Sequence, residues 1–383
     1  MNPKIKILTI FGTRPEATKM APLLLELKKH SNIESLCCVT AQHREMLDQV
    51  LNIFQIKPDF DLDIMQNSQT LSSITTRVLE RLDEVLQNAK PDLVLVHGDT
   101  STTFAGALSA FYHKIKVGHV EAGLRTYDKY SPYPEEMNRQ LTARIADLHF
   151  CPTQQNKDNL RKENITNSIF ITGNTAIDTV KLIAKDDYTF KLDILNKIDF
   201  VNNKVILLTA HRRENYGEPL ENIMQATKML TERFSDVQVV YPVHLSPFVK
   251  QTAEKVLGNA DRVKLIEPLS IDDNLNLMKR CFMVMTDSGG IQEEAPALGK
   301  PVLVLRKETE RPEAIKAGTA TLVGVDKQAI FEKACLLIEN EAEYKKMANS
   351  VNPYGDGHAS KRIVNNILYS FGLEQEPEEF ISY

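Results

Sequence analysis

The run Phe282-Met283-Val284-Met285 leads through Thr286 into Asp287-Ser288-Gly289-Gly290-Ile291-Gln292-Glu293-Glu294. An apolar strand, a glycine turn and a helix follow one another directly, which is the local grammar of an open α/β sheet. The two glycines let a ligand approach the backbone closely, and the unpaired amides of a helix's first turn, with its dipole, favour a phosphate. The carboxylates that follow suit ribose hydroxyls. The same residues also read as an ordinary turn in which Asp287 or Ser288 caps the helix.

Outward from this unit the pattern repeats. Upstream lie apolar runs at Val205 to Thr209, Val237 to Tyr241 and Val263 to Ile266, and downstream one at Pro301 to Leu305. The beginning of the chain alternates in the same way, with runs at Lys4 to Phe11, Ile33 to Thr40, Pro91 to His97, Ile115 to Val120, Leu148 to Cys151 and Ile169 to Thr172. Helical periodicity fills the intervals, as at Leu71 to Leu86. Strands alternating with helices predict mostly parallel sheets covered on both faces. Between Ala184 and Asn203 the rhythm lapses into Lys, Asp and Asn, which places a domain boundary there. The expectation is two Rossmann-like α/β domains, 1–185 and 186–383, facing a cleft, with the final helix able to pack back on the first.

Composition agrees with such a chain. Its 383 residues exceed one typical small domain. The 42 % hydrophobic and 25 % charged content is that of a globular protein. A net charge of -5, without basic blocks, argues against a nucleic-acid partner. The opening residues are too soon interrupted by Arg14 to be a signal peptide, and no apolar stretch is long enough to cross a bilayer. Cys37, Cys38, Cys151, Cys281 and Cys335 show no paired spacing and read as buried thiols of a cytoplasmic protein.

Unusual polar residues fall at strand ends repeatedly. Gly12-Thr13-Arg14 follows the first strand, with Lys19 a little over a turn into the helix, yet without the glycines of a Walker loop or dinucleotide fingerprint. His97-Gly98-Asp99-Thr100 and His119-Val120-Glu121-Ala122-Gly123-Leu124-Arg125 end two neighbouring strands, so Asp99 and Glu121 either cap turns or face substrate. In Pro134-Glu135-Glu136 the second glutamate suits a helix start and the first is the better placed for substrate. His211-Arg212-Arg213-Glu214 sets a titratable group beside two anion binders, and His244 occupies the next strand's end. Arg311 suits either a structural or a ligand-bound role. No metal-binding pattern appears, so helix ends and arginines would carry phosphate charge without a metal or cofactor.

This ordered set resembles the non-hydrolysing UDP-N-acetylglucosamine 2-epimerases of bacteria. The resemblance runs from Phe11-Gly12-Thr13-Arg14-Pro15-Glu16-Ala17 to Asn352-Pro353-Tyr354-Gly355-Asp356-Gly357 and so covers nearly the whole chain. It implies the GT-B type of fold, a homodimer, and reversible conversion of UDP-GlcNAc to UDP-ManNAc through 2-acetamidoglucal for cell-surface polysaccharides. By the resemblance, Lys19, Asp99, Glu121, Glu135 and His211 form the catalytic set. Arg14, Arg213, Ser288, Gly289, Gly290 and Glu294 would surround UDP with His211. A second, activating UDP-GlcNAc would meet Gln42, His43, Glu136, Arg212 and His244, although Glu45 and Ser68 stand where regulated members carry Gln and Arg. The rival readings are a metal-independent glycosyltransferase, a hydrolysing epimerase and a nucleotide-sugar sensor. Acids at successive strand ends argue against the last.

Overall fold

A computed structural model describes residues 4–41, 44–66 and 69–381. The chain forms two units: one runs to Thr179 and takes the chain up again from Tyr354, the other spans Val180–Pro353.

The first unit contains β1 (Ile5–Phe11), β2 (Ile33–Val39), β3 (Phe60–Asp61), β4 (Leu93–His97), β5 (Lys116–Val120), β6 (Leu148–Cys151) and β7 (Ile169–Ile171). They lie in the order β3-β2-β1-β4-β5-β6-β7, every pair parallel. Helices cover both faces, so β1 and β4 read as continuous apolar runs rather than alternating ones. Leu8, Ile10, Val94 and Val96 are fully buried against Val78 and Leu82 of the helix Leu71–Ala89 and the alanines of the helix Ser101–Tyr112. Those alanines let the second helix sit close to the sheet. At Gly106 an added methyl would come within 3.2 Å of Val96 Cγ1.

The second unit repeats the winding with β8 (Lys204–Thr209), β9 (Val237–Pro242), β10 (Val263–Ile266), β11 (Met283–Thr286), β12 (Val302–Val304) and β13 (Ala320–Leu322), ordered β10-β9-β8-β11-β12-β13 and again all parallel. Ile206, Leu208, Val239 and Met285 pack against Leu220, Ile223 and Met224 of the helix Glu218–Arg233. The two sheets are Rossmann-like domains of the GT-B type. Each reverses its strand order once, between β1 and β4 and between β8 and β11, and open α/β sheets bind ligands at the carboxyl ends of strands beside that reversal.

The helix Ala359–Ser370 packs on the helix Arg14–Leu27 within the first unit. Its N-cap residue, His358, provides no side-chain bond. Instead Asp178, from the helix Thr175–Ile183, accepts the amides of Ala359 at 3.1 Å and Ser360 at 2.8 Å, satisfying two of the orphan donors. No helix among the described residues is long and apolar enough to cross a membrane.

Candidate active site

In the first unit three loops meet at the strand-order reversal. Glu16, buried in the first turn of its helix, ties two of them together. Its Oε2 accepts the amides of Gly12 (3.0 Å) and Thr13 (2.8 Å) and the Thr13 hydroxyl (2.8 Å). Its Oε1 accepts the hydroxyls of Thr100 (2.6 Å) and Thr103 (3.1 Å). One carboxylate therefore pins the loop after β1 to the loop after β4. The approach is so close that a Cβ on Gly12 would fall 1.9 Å from Thr40 Oγ1 and 2.7 Å from Thr102 Oγ1. Glycine is required there by contact rather than by phosphate.

Around this clamp the expected acids converge. Lys19 hydrogen-bonds Glu121, and His97 Nε2 lies 2.9 Å from the same Oε2. Burial disfavours the charged form of Glu121, yet Lys19 and His97 outweigh it and hold the carboxyl well below its usual range. Glu121 also adopts a left-handed φ of 62°, an uncommon conformation for a residue with a side chain. Asp99 behaves oppositely. Burial pushes its carboxyl up to about 6 against the pull of Arg139, whose Nε is 3.7 Å away, and the charges of Glu121 and Glu135 add to the rise while Lys19 opposes it. Thus Lys19, Asp99, Glu121 and Glu135 share one neighbourhood. Two of the acids are driven to opposite protonation behaviour, the arrangement that acid/base sites exploit.

Glu136, next to Glu135 in the helix Glu135–Ile145, faces inward. Its fully buried carboxylate accepts the amides of Thr126 (3.0 Å) and Tyr127 (3.1 Å) and Gln140 Nε2 (2.8 Å). Arg14 opens its helix half-buried. Gln42 and His43 lie outside the described residues.

In the second unit Asp287 does not cap the helix that follows it. The fully buried side chain turns to the loop after β8, where Oδ2 accepts the amides of His211 and Arg212 at 2.8 Å each and Asn215 Nδ2 at 3.1 Å. Ser288 stands at the N-cap without a side-chain cap bond, and the helix itself is only Gly289–Glu294, continued by a 3₁₀ turn over Ala295–Leu298. The helix expected after the glycine turn is therefore present but short. Ser288 is half-buried, Gly290 is exposed and Glu294, half-buried, closes the helix.

Above this turn the His211 ring stacks on His244, centroids 5.2 Å apart and planes 8° from parallel. Burial lowers the His211 pKa; Asp287, with Oδ1 3.5 Å from Nδ1, works the other way, and His244 and Arg212 reinforce the lowering. The exposed His244 accepts the Ser246 amide at Nδ1, 3.1 Å away. Arg306 and Arg311 form ion pairs with Glu214 and Glu293. Among the described residues Arg212 and Arg213 have no carboxylate partner. The Arg212 guanidinium instead lies 3.7 Å from where a Cβ on Gly289 would sit, so cationic and amide donors cluster at the same strand ends.

The sequence reading did not assign Glu16, His97, Asn138 or Arg139. Thr13-x-x-Glu16 carries the spacing of a capping box, a signal that could have marked Glu16. The others become visible only when β4, β5 and the helix Glu135–Ile145 come together.

The family described as UDP-N-acetylglucosamine 2-epimerase matches residues 25–368. The UDP-N-acetylglucosamine 2-epimerase of Bacillus subtilis (strain 168) is 59% identical over 379 residues, covering 98% of this chain and 99% of that protein. A crystal structure of a UDP-N-acetylglucosamine 2-epimerase superposes with a TM-score of 0.92 at 56% identity, covering 99% of this chain and 100% of that one. The enzyme from Neisseria meningitidis, solved bound to UDP-GlcNAc, gives a TM-score of 0.83 at 51% identity, with 95% of this chain and 100% of that one covered.

Proposed function

The chain belongs to the UDP-N-acetylglucosamine 2-epimerase family, and from that premise we propose that it is an isomerase interconverting UDP-GlcNAc and UDP-ManNAc by elimination and re-addition of UDP. The C2 proton of the sugar is not acidified by a neighbouring carbonyl. It leaves to a carboxylate while the C2–H electron pair forms the C1=C2 bond of 2-acetamidoglucal and the C1–O pair departs with UDP. The UDP oxygen then adds back to C1 as a proton reaches C2 from the opposite face. Inversion needs acid/base groups on both faces, and Asp99, Glu121 and Glu135 supply them.

The observation that carries this reading is the divergence of Asp99 and Glu121. Asp99, near 6, can gain and lose a proton close to neutrality. Glu121 stays ionised beside Lys19 and His97, fixing negative charge near the developing double bond and orienting the lysine. In the second unit Arg213, Arg212, Ser288, the Gly289 and Gly290 amides and His211 suit the charge of departing UDP, and Glu294 suits the ribose. A neutral His211 serves as a hydrogen-bond donor rather than a cation. The same reading makes the protein a cytoplasmic homodimer supplying a cell-surface polysaccharide.

The test is incubation with UDP-GlcNAc alone, in the presence of a chelator, with separation of the products by anion exchange. A mixture of UDP-GlcNAc and UDP-ManNAc is expected. Release of free ManNAc with UDP would make the protein a hydrolysing enzyme, and no turnover without an acceptor sugar would point to a glycosyltransferase.

A further inference from the structure

The turn Gly98–Asp99–Thr100 is held from outside at successive points. Gly98 donates its amide to Val120 O (2.9 Å) and accepts His119 Nε2 at its own carbonyl (2.7 Å). The Asp99 carbonyl accepts Asn138 Nδ2 (2.9 Å), and the Thr100 hydroxyl donates to Glu16 (2.6 Å). Gly98 itself sits at a φ of 69°, in the left-handed region. A glycine there has little intrinsic preference for one orientation of its peptide, so the partners of that peptide decide it.

Among the described residues, His119 is the only titratable side chain that holds the Gly98 peptide. It is fully buried in β5, and its Nδ1 has no hydrogen-bond partner among the described residues. A carbonyl oxygen can only accept, so the ring proton resides on Nε2. Burial pushes the imidazole down to about 3, which keeps the ring neutral and its tautomer fixed across the working pH range. Leaving one buried ring nitrogen unpaired costs free energy that an apolar side chain would avoid. The compensating bond is the one to Gly98.

We propose that His119 is a positioning residue for the isomerisation: its Nε2–H fixes the Gly98 carbonyl, and through that peptide sets the direction of the Asp99 carboxylate. The inference rests on the reading of Asp99 as an acid/base group. The groups that face Asp99 are Lys19 from the first helix, Glu121 after β5, and Glu135 and Arg139 from the helix Glu135–Ile145. None of them is His119, so the histidine acts through geometry.

Glutamine can set an amide nitrogen close to where Nε2 lies, whereas asparagine is too short to reach Gly98. His119→Gln should keep kcat within about threefold of wild type, and His119→Asn should lose about tenfold or more in kcat with KM within about twofold, as misplacement of a reacting group by a fraction of an ångström does. In His119→Asn the titration of kcat near pH 6 should also move down as water reaches Asp99. Wild-type kcat and pH profile in His119→Asn would overturn the proposal, as would a folded His119→Gln slowed as far as His119→Asn. If His119→Asn does not fold, His119→Gln carries the test alone: a folded His119→Gln with wild-type kcat and pH profile is the expected result, and slowed turnover overturns the idea. Asp99→Asn is measured alongside. If it turns over at the wild-type rate, the reading of Asp99 is what fails.

Discussion

Asp99 is costly to keep where it is. Its folded carboxyl sits near 6, above the ordinary aspartate range that the unfolded chain would show. A group with a raised folded pKa contributes stability that is fully present below the unfolded pKa and is lost as pH rises through the folded one. Stability should therefore fall between about pH 4 and pH 6 on account of this one residue. Asp99→Asn removes the titration. Its melting curve should match wild type near pH 4 and show a gain of on the order of 2 kcal/mol above pH 6, reduced from the full shift because the side chain is partly exposed. Equal stability of the two proteins at pH 8 would mean that Asp99 is not held near 6. The candidate acids themselves were legible in the sequence, because an Asp or Glu directly after an apolar strand is conspicuous. Their unequal proton affinities were not, since Lys19, His97 and Arg139 reach them from separate elements.

At the scale of elements, the strand-end loops depend on two carboxylates that bind no substrate in this account. Glu16 joins the loops after β1 and β4, and Asp287 fastens the loop after β8 to the end of β11. The paired hydroxyls of Thr209 and Thr286, 2.5 Å apart, show how little room remains at these ends. Gly12→Ala tests the tightness directly. Thr40 is fully buried and bonded to Thr102 at 3.0 Å, so it cannot swing away from the new methyl. The variant should lose about 1–3 kcal/mol in denaturant midpoint measurements, the usual cost of overpacking, and an unchanged midpoint would mean that the loop is looser than described. Most strands were readable as apolar runs, and Phe282 to Met285 needed a shift of only one residue. Two were not. β3, with two residues, and β13, with three, are too short to show any period, and they exist because β2 and β12 offer them an edge to pair with. The partners of Asp287 could not be read for a similar reason: the local sequence offers only a capping alternative, whereas the amides that it accepts are 75 and 76 positions earlier in the chain.

At the scale of the whole molecule, two similarly wound domains offer different chemistry at corresponding places. The first gathers carboxylates about a lysine at the strand-order reversal; the second gathers arginines, histidines and a glycine turn. The domain count and the parallel winding followed from the repeated strand–helix alternation. The packing of the final helix on the first unit was also expected, but its anchoring was not, because the contacts run from Asp178 to Ala359 and Ser360 and leave no periodic trace. The proposed elimination requires the C2–H bond to break and reform on the protein. It is tested by incubation with UDP-GlcNAc in deuterated water, following C2 by NMR. Deuterium should enter C2 of both UDP-GlcNAc and UDP-ManNAc, and Asp99→Asn or Glu121→Gln should slow its entry by on the order of a hundredfold while UDP binding changes little. Well-folded protein that forms UDP-ManNAc without deuterium at C2, or that leaves UDP-GlcNAc untouched, would contradict the account.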